Sequence, residues 1–193
     1  MSLKVFSIPF TKMTNKIDYW QNSLATTTQD FLSAFQHLDT EQLYQKPNAD
    51  TWSIAENIQH LIVINSSYFP IFKKVIEGTY QKPFIGKIGF LNKAIGKMIL
   101  KSVTPDNPKK IKTIPVWNPA KYHSVKNEDL LKAFEAHQTA FSEWLPQLGP
   151  AIEQGQVIQS PANKLIAYPL ETALDIITTH ERRHLEQAKR VSL

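Results

Sequence analysis

The sequence predicts an all-α chain: a four-helix bundle with an extra short helix and long loops. Three observations predict it. Apolar residues recur at three- and four-residue steps through four long segments. No segment shows the apolar–polar alternation of a half-buried strand. Proline gathers between the periodic segments, and 12 Pro against 6 Gly point to rigid connections.

The first helix is expected from about Lys16 to Leu38, with Ile17, Trp20, Leu24, Phe31, Leu32, Phe35 and Leu38 in phase. Asn15 is its expected N-cap, and residues 1–14 are expected to be irregular. The loop LDTEQLYQKPNADTW follows, with Pro47 and the Asn48–Asp50 cluster as turn chemistry. Ser53 and Glu56 then form a capping-box pattern. The helix they open, IAENIQHLIVINSSYFPIFKKVIEG, places Ile54, Ile58, Leu61 and Ile62 on one side. Pro70 is expected to kink it or end it early.

Residues 84–103 read as a helix weakened by Gly86, Gly89 and Gly96. Ile88, Leu91, Ile95 and Ile99 lie near one face, and Lys93, Lys97 and Lys101 form an i, i+4, i+8 stripe on another. From Thr104 to about Lys126 runs a loop with Pro105, Pro108, Pro115 and Pro119. A loop this long in a compact domain is commonly functional. Helical pattern resumes from Asn127 to Leu148, burying Leu130, Leu131, Phe134, Phe141, Trp144 and Leu145. The stretch GPAIEQGQVIQSPANKLIAYP reads as a connection. The last helix opens near Leu170, and its early Glu171 and Asp175 and late Lys189 and Arg190 suit the helix dipole.

At 193 residues the chain fits one domain over 1–193. There is no Cys, so disulfides and thiolate ligands are excluded and a metal must take N and O donors. The opening MSLKVFSIPFTKMTNK lacks an apolar run followed by a small-residue cleavage site. No stretch approaches the ~18 apolar residues of a membrane span. A cytoplasmic protein is therefore expected. The formal charge of +5 concentrates at Lys82, Lys87, Lys93, Lys97, Lys101, Lys109, Lys110 and Lys112, opposed there by Asp106. This basic segment, 82–112, reads first as a solvated helix face. No nucleic-acid partner is expected, because no such motif accompanies it and only three Arg occur, all near the C-terminus.

Chemistry points to histidine. His180 and His184 stand i, i+4 on the last helix, about 40° apart around its axis. One helix can thereby offer two imidazoles to one ion. The string His180-Glu181-Arg182-Arg183-His184 also fits H-E-x-x-H, the zinc-protease helix. That reading fails: only nine residues follow His184, none of them His, and the extended motif would fall on Gln187 and Arg190. A third ligand must come from upstream. His60 is the best candidate, an imidazole inside an apolar helix that is costly to bury unless bonded or ligated. Glu56, one turn before it, could orient a ligand or accept a proton. Glu181 lies about 100° around the helix from His180 and is a poor candidate base. His37 ends a helix, His123 lies in the Pro-rich loop, and His137, in the polar stretch EAHQT, is expected to face solvent.

The segment from Leu38 to His60, LDTEQLYQKPNADTWSIAENIQH, resembles the opening of DinB-like (DinB/YfiT-like) proteins: a Pro-containing loop, then Trp-Ser-Ile before a helix bearing a His. The C-terminal HERRHLEQAKR resembles their second signature, H-x-x-x-H followed by Leu and Gln. The resemblance covers most of the chain. It implies a four-helix bundle holding a divalent metal, zinc or nickel among others, on three His, with water in the open positions. Matched motif to motif, the ligands are His60, His180 and His184. It also implies a dimer.

Three function classes remain. The first is a metal-dependent enzyme that activates water or a low-molecular-weight thiol on a small-molecule substrate, of hydrolase or thiol S-transferase type. The second is a non-catalytic metal-binding or stress-response bundle with a structural or vestigial metal. The third is a membrane-surface role for residues 84–103, against which the glycines count, so no membrane partner is expected.

Overall fold

A computed structural model describes residues 10–87, 89–108, 113–119 and 129–191. Helix α1 spans Phe10–Phe35, α2 Thr40–Tyr44, α3 Ile54–Ser66, α4 Phe69–Ile76, α5 Gly89–Ser102, α6 Leu130–Glu153 and α7 Leu170–Lys189. Strands β1 (Val157–Gln159) and β2 (Ala167–Pro169) pair antiparallel, Ile158 opposite Tyr168. Short 3-10 turns occur at Phe84–Lys87 and Pro115–Trp117. The fold is all-α, with α1, α3–α4, α6 and α7 as the bundle. Helix α7 is central, touching α1, α3, α5 and α6.

The periodic apolar residues account for this packing. Trp20 and Leu24 of α1 meet Tyr68, Phe72, Phe141, Leu145 and Leu174 in one buried cluster. One end of the bundle holds a second, with Phe31, Phe35, Ile58, Leu61, Phe134 and Leu185. Each such side chain fully buried contributes roughly 1.5–3 kcal/mol. Between the two clusters each bundle helix places buried polar side chains: Thr27 and Thr28, Asn65, Gln138 and Glu181. At the bundle seam, Trp20 Nε1–H donates to Asp175 at 2.8 Å, and Lys16 pairs with Glu171 beside it.

The capping box forms as read: Ser53 Oγ accepts from Glu56 N–H, and Glu56 Oε2 accepts from Ser53 N–H. Pro70 divides the second periodic segment and sits in the first turn of α4, where its missing N–H is harmless.

Several sequence readings are corrected. Helix α1 starts at Phe10, so residues 10–14 are helical and Asn15 lies inside the helix. No Gly or Pro stands between Phe10 and Asn15 to stop it. The loop after α1 contains α2, opened by a second capping box on Asp39 and Gln42. Helix α6 runs five residues past the expected Leu148, through Pro146 and Pro150. Pro146 withholds the N–H that Ser142 carbonyl would accept, and Gln21 Nε2 of α1 donates to that carbonyl at 3.3 Å. The connection before α7 holds the β1–β2 ribbon, whose three-residue strands are too short to show alternation. His137 is half-buried rather than solvent-facing, and its ring stacks on Phe69 at 5.3 Å. Burial there pushes its imidazole down to about 4. His123, Ile88, Lys109, Lys110 and Lys112 lie outside the described residues.

Candidate metal centre

Two helices, α3 and α7, bring three histidines together. His60 lies in the second turn of α3, and His180 and His184 lie on adjacent turns of α7. One ring nitrogen from each lies within 4.8 Å of the others. His60 and His184 are buried, while His180 is half-buried. The His60 ring centroid is 4.7 Å from that of His184 and 5.3 Å from that of His180.

Hydrogen bonds fix which nitrogens point inward. His60 Nδ1 lies 2.8 Å from the Trp117 carbonyl oxygen. A carbonyl only accepts, so Nδ1 carries the proton and Nε2 keeps its lone pair. His184 Nδ1 lies 2.8 Å from Asn57 Oδ1. Asn57 Nδ2 donates to the Ser53 carbonyl at 2.9 Å, which settles the amide orientation. Asn57 Oδ1 therefore accepts, and His184 Nε2 is also bare. His180 Nε2 stands 3.0 Å from that atom. Such a spacing suits one N–H···N bond or a shared cation.

The electrostatics agree. Burial lowers His60, against the raising effect of its bond to Trp117. Burial, then the neighbouring His60 and Arg183, push His180 down to about 3. Burial, then His180, His60 and Arg183, hold His184 well below its ordinary value. Each shift favours the neutral ring, the form in which imidazole ligates metal. Two nitrogens on a tetrahedral ion at ~2.05 Å would stand about 3.3 Å apart. The His180–His184 pair, at 3.0 Å, is close to that value, and a nitrogen of His60 lies within 4.8 Å of the group. The donor set therefore fits a divalent ion.

The surroundings are aromatic and well pinned. Trp52 stacks on His184 at 5.7 Å and 19° and leans on His60 at 4.9 Å. The loop after α5 is held at two points. Arg183 Nη1 donates to the carbonyls of Thr104 (2.7 Å) and Asn107 (3.0 Å), and Trp117 meets His60.

Of the acidic candidates, Glu56 is buried and serves the cap. Its Oε2 bonds Ser53 N–H at 2.6 Å and its Oε1 meets Lys46 at 3.1 Å. It is outside the three-nitrogen group. Glu181 faces the core instead, accepting from Asn65 Nδ2 at 2.6 Å. Gln138 lies beside the same carboxyl, close enough to favour its charge, but among the described residues Glu181 Oε2 and both Gln138 amide atoms have no partner of full hydrogen-bond geometry. Burial raises the Glu181 carboxyl to about 8, against the lowering by Gln138 and Asn65.

Sequence reading missed Asn57, Trp52 and Trp117. Asn57 and His60 are i, i+3 on one helix, a signal available from spacing. Trp52 adjoins the Ser53 cap. Trp117 acts through its carbonyl, which no side-chain pattern reveals.

Fold and site together define a class: a helical bundle with a buried three-histidine group that could hold a divalent metal. The chain belongs to the DinB superfamily, whose family model matches residues 23–188, a span that includes all three histidines. No curated protein and no solved structure matches it.

Proposed function

We propose that His60, His180 and His184 bind one divalent ion, zinc or nickel, and that the protein is a metal-dependent enzyme acting on a small molecule. The observation that carries this reading is the orientation of the rings: Trp117 and Asn57 take the outward Nδ1 protons and leave two lone pairs facing a third imidazole. A bound ion with an open position supplies Lewis acidity that brings water or a thiol toward ionisation near neutral pH.

The chain's own residues do the rest. Trp117 and Asn57 hold two tautomers, which keeps these ligands from rotating. Trp52 covers His184 and His60 and limits water on that side. The half-buried His180 marks the approach for a substrate. With no Cys in the chain, a thiol in the reaction is a substrate. This supports thiol transfer or hydrolysis equally, with Glu56 and Glu181 both engaged elsewhere.

Two measurements test the reading. Metal analysis of the purified protein should give about one ion per chain. His184→Ala and His60→Ala should each lower affinity by at least about 1,000-fold, which is beyond the effect of a residue merely supporting a ligand. Unchanged stoichiometry in both variants would end the metal assignment. The loaded protein is then offered thiols with an electrophile, and separately esters and amides. Metal without turnover across that panel would leave the non-catalytic bundle as the better reading.

A further inference from the structure

Helix α5 is docked through one face and, among the described residues, exposed on the other. Its inner face carries Asn92 and Gly96, both buried, and Asn92 Nδ2 donates to the Gly86 carbonyl at 2.9 Å. A Cβ on Gly96 would stand 2.8 Å from Thr172 Cγ2 and 3.2 Å from Tyr168 Cβ. The helix therefore lies flush on α7 and β2, and its packing contacts come from this side.

The outward face carries two stripes. Phe90, Ala94 and Met98 run i, i+4, i+8, all exposed. Lys93, Lys97 and Lys101 run at the same spacing, also exposed. At ~100° per residue the stripes lie about 60° apart on one side of the helix. Phe90 is 80% exposed and Met98 65%. A lone exposed apolar residue needs no explanation, but a periodic pair on the face of a docked helix does. Phe84, on the turn just before α5, is 82% exposed as well. From Lys82 to Ser102 the sequence contains no Asp or Glu.

We propose that this face binds the surface of an anionic lipid bilayer, independently of the histidine site. Phe90 and Met98 would enter the acyl boundary while the adjoining lysines extend to headgroup phosphates. Charge complementarity chooses the occupant. A second copy presenting the same face would set lysines against lysines, with no carboxylate between Lys82 and Ser102 to offset them. A nucleic acid would use the lysines but give Phe90 and Met98 no apolar medium. No described helix is long and apolar enough to cross a membrane, so the contact is with the surface. This departs from the expectation that the segment has no membrane partner. That expectation rested on the glycines weakening the helix, whereas Gly96 lies on its docked side, against Thr172 and Tyr168.

The test uses the full chain and vesicle co-sedimentation at low salt. Vesicles containing roughly a third phosphatidylglycerol should retain the protein, and pure phosphatidylcholine should not. Each lysine near the surface is worth on the order of fivefold, so Lys93→Glu/Lys97→Glu/Lys101→Glu should weaken binding about 100-fold or more. Phe90→Ser/Met98→Ser, with all lysines kept, should weaken it about tenfold or more. All five positions are exposed, and circular dichroism confirms that each variant folds. Equal binding to neutral vesicles overturns the proposal. Undiminished binding by the Phe90/Met98 variant, with equal affinity for a DNA duplex, assigns the face to polyanions and overturns it too. A dimer in sedimentation that Phe90→Ser/Met98→Ser abolishes would make the occupant a second copy.

Discussion

Helices α3 and α5 break the inside–outside rule in opposite directions. Helix α3 buries Glu56, Asn57, Gln59, His60 and Asn65 among its isoleucines and leucines. Helix α5 leaves Phe90 and Met98 in solvent beside its lysines. Folding alone explains neither pattern. A buried imidazole or amide destabilises the chain unless something bonds it, and an exposed phenyl ring adds nothing to the core. In α3 the compensation is visible inside the molecule: Asn57 bonds His184 and Ser53, and His60 bonds Trp117. In α5 it would have to come from outside. Misplaced polarity therefore marks an internal site in one helix and an external contact in the other.

Asn57 carries the largest expected effect. Asn57→Ala leaves the His184 Nδ1 proton without its acceptor and frees the ring to rotate. Metal affinity should fall about 10- to 100-fold, measured by competition with a chelating dye. Affinity within twofold of the parent protein would show that Asn57 is only a helix residue.

The docked side of α5 comes next. Gly96→Ala drives a Cβ into Thr172 and Tyr168 and should destabilise the fold by about 1–3 kcal/mol in urea titrations. Thr172→Ser removes the nearer methyl and should restore part of that loss. No loss in the single variant would mean that α5 is not seated on α7 as described.

His137 offers a pH test away from the metal site. Its folded value is about 4 and its unfolded value near 6.5. Between those values the unfolded chain holds a proton that the native chain lacks, so stability falls as pH falls. From pH 7 to pH 5 the loss should be about 1–2 kcal/mol. His137→Phe should show a decline smaller by that amount, with the other histidines common to both proteins. Equal declines would place His137 in solvent.

The smallest effect sharpens the contrast most. Phe90→Ser should change stability by less than about 0.5 kcal/mol, because the ring is already in water. A larger loss would mean that Phe90 packs on something and that α5 has no bare face.

Much of this was legible in the residues. The Ser53–Glu56 capping box depends on two residues at a fixed offset, and it formed as read. Helix α7 and the i, i+4 pair on it were equally plain, as was the break at Pro70. Three things hid from a one-dimensional reading. Short elements carry too little pattern, which is why β1–β2 and α2 read as loop. Tertiary rescue of a broken rule is also silent. The sequence reading carries α6 across Pro146 but stops it at Leu148, and nothing in the residues announces that it continues through Pro150 or that Gln21 donates to the Ser142 carbonyl. Polarity of neighbours misled as well: EAHQT reads as surface, yet His137 turns toward Phe69 and Gln138 is buried, which leaves Glu135, Ala136 and Thr139 to face water.

Ser53 joins the helix end to the site. Its hydroxyl and N–H close the capping box, and its carbonyl accepts from both the backbone and side-chain nitrogens of Asn57. The proton on His184 is thereby held in place by the first turn of α3. Fraying that turn would release Asn57, free the imidazole and weaken the hold on an ion in a single event. Ligand occupancy and local unfolding are then two readings of one equilibrium. Adding metal should slow amide hydrogen exchange first at Glu56 and Asn57, at the start of a helix, where exchange is ordinarily fastest.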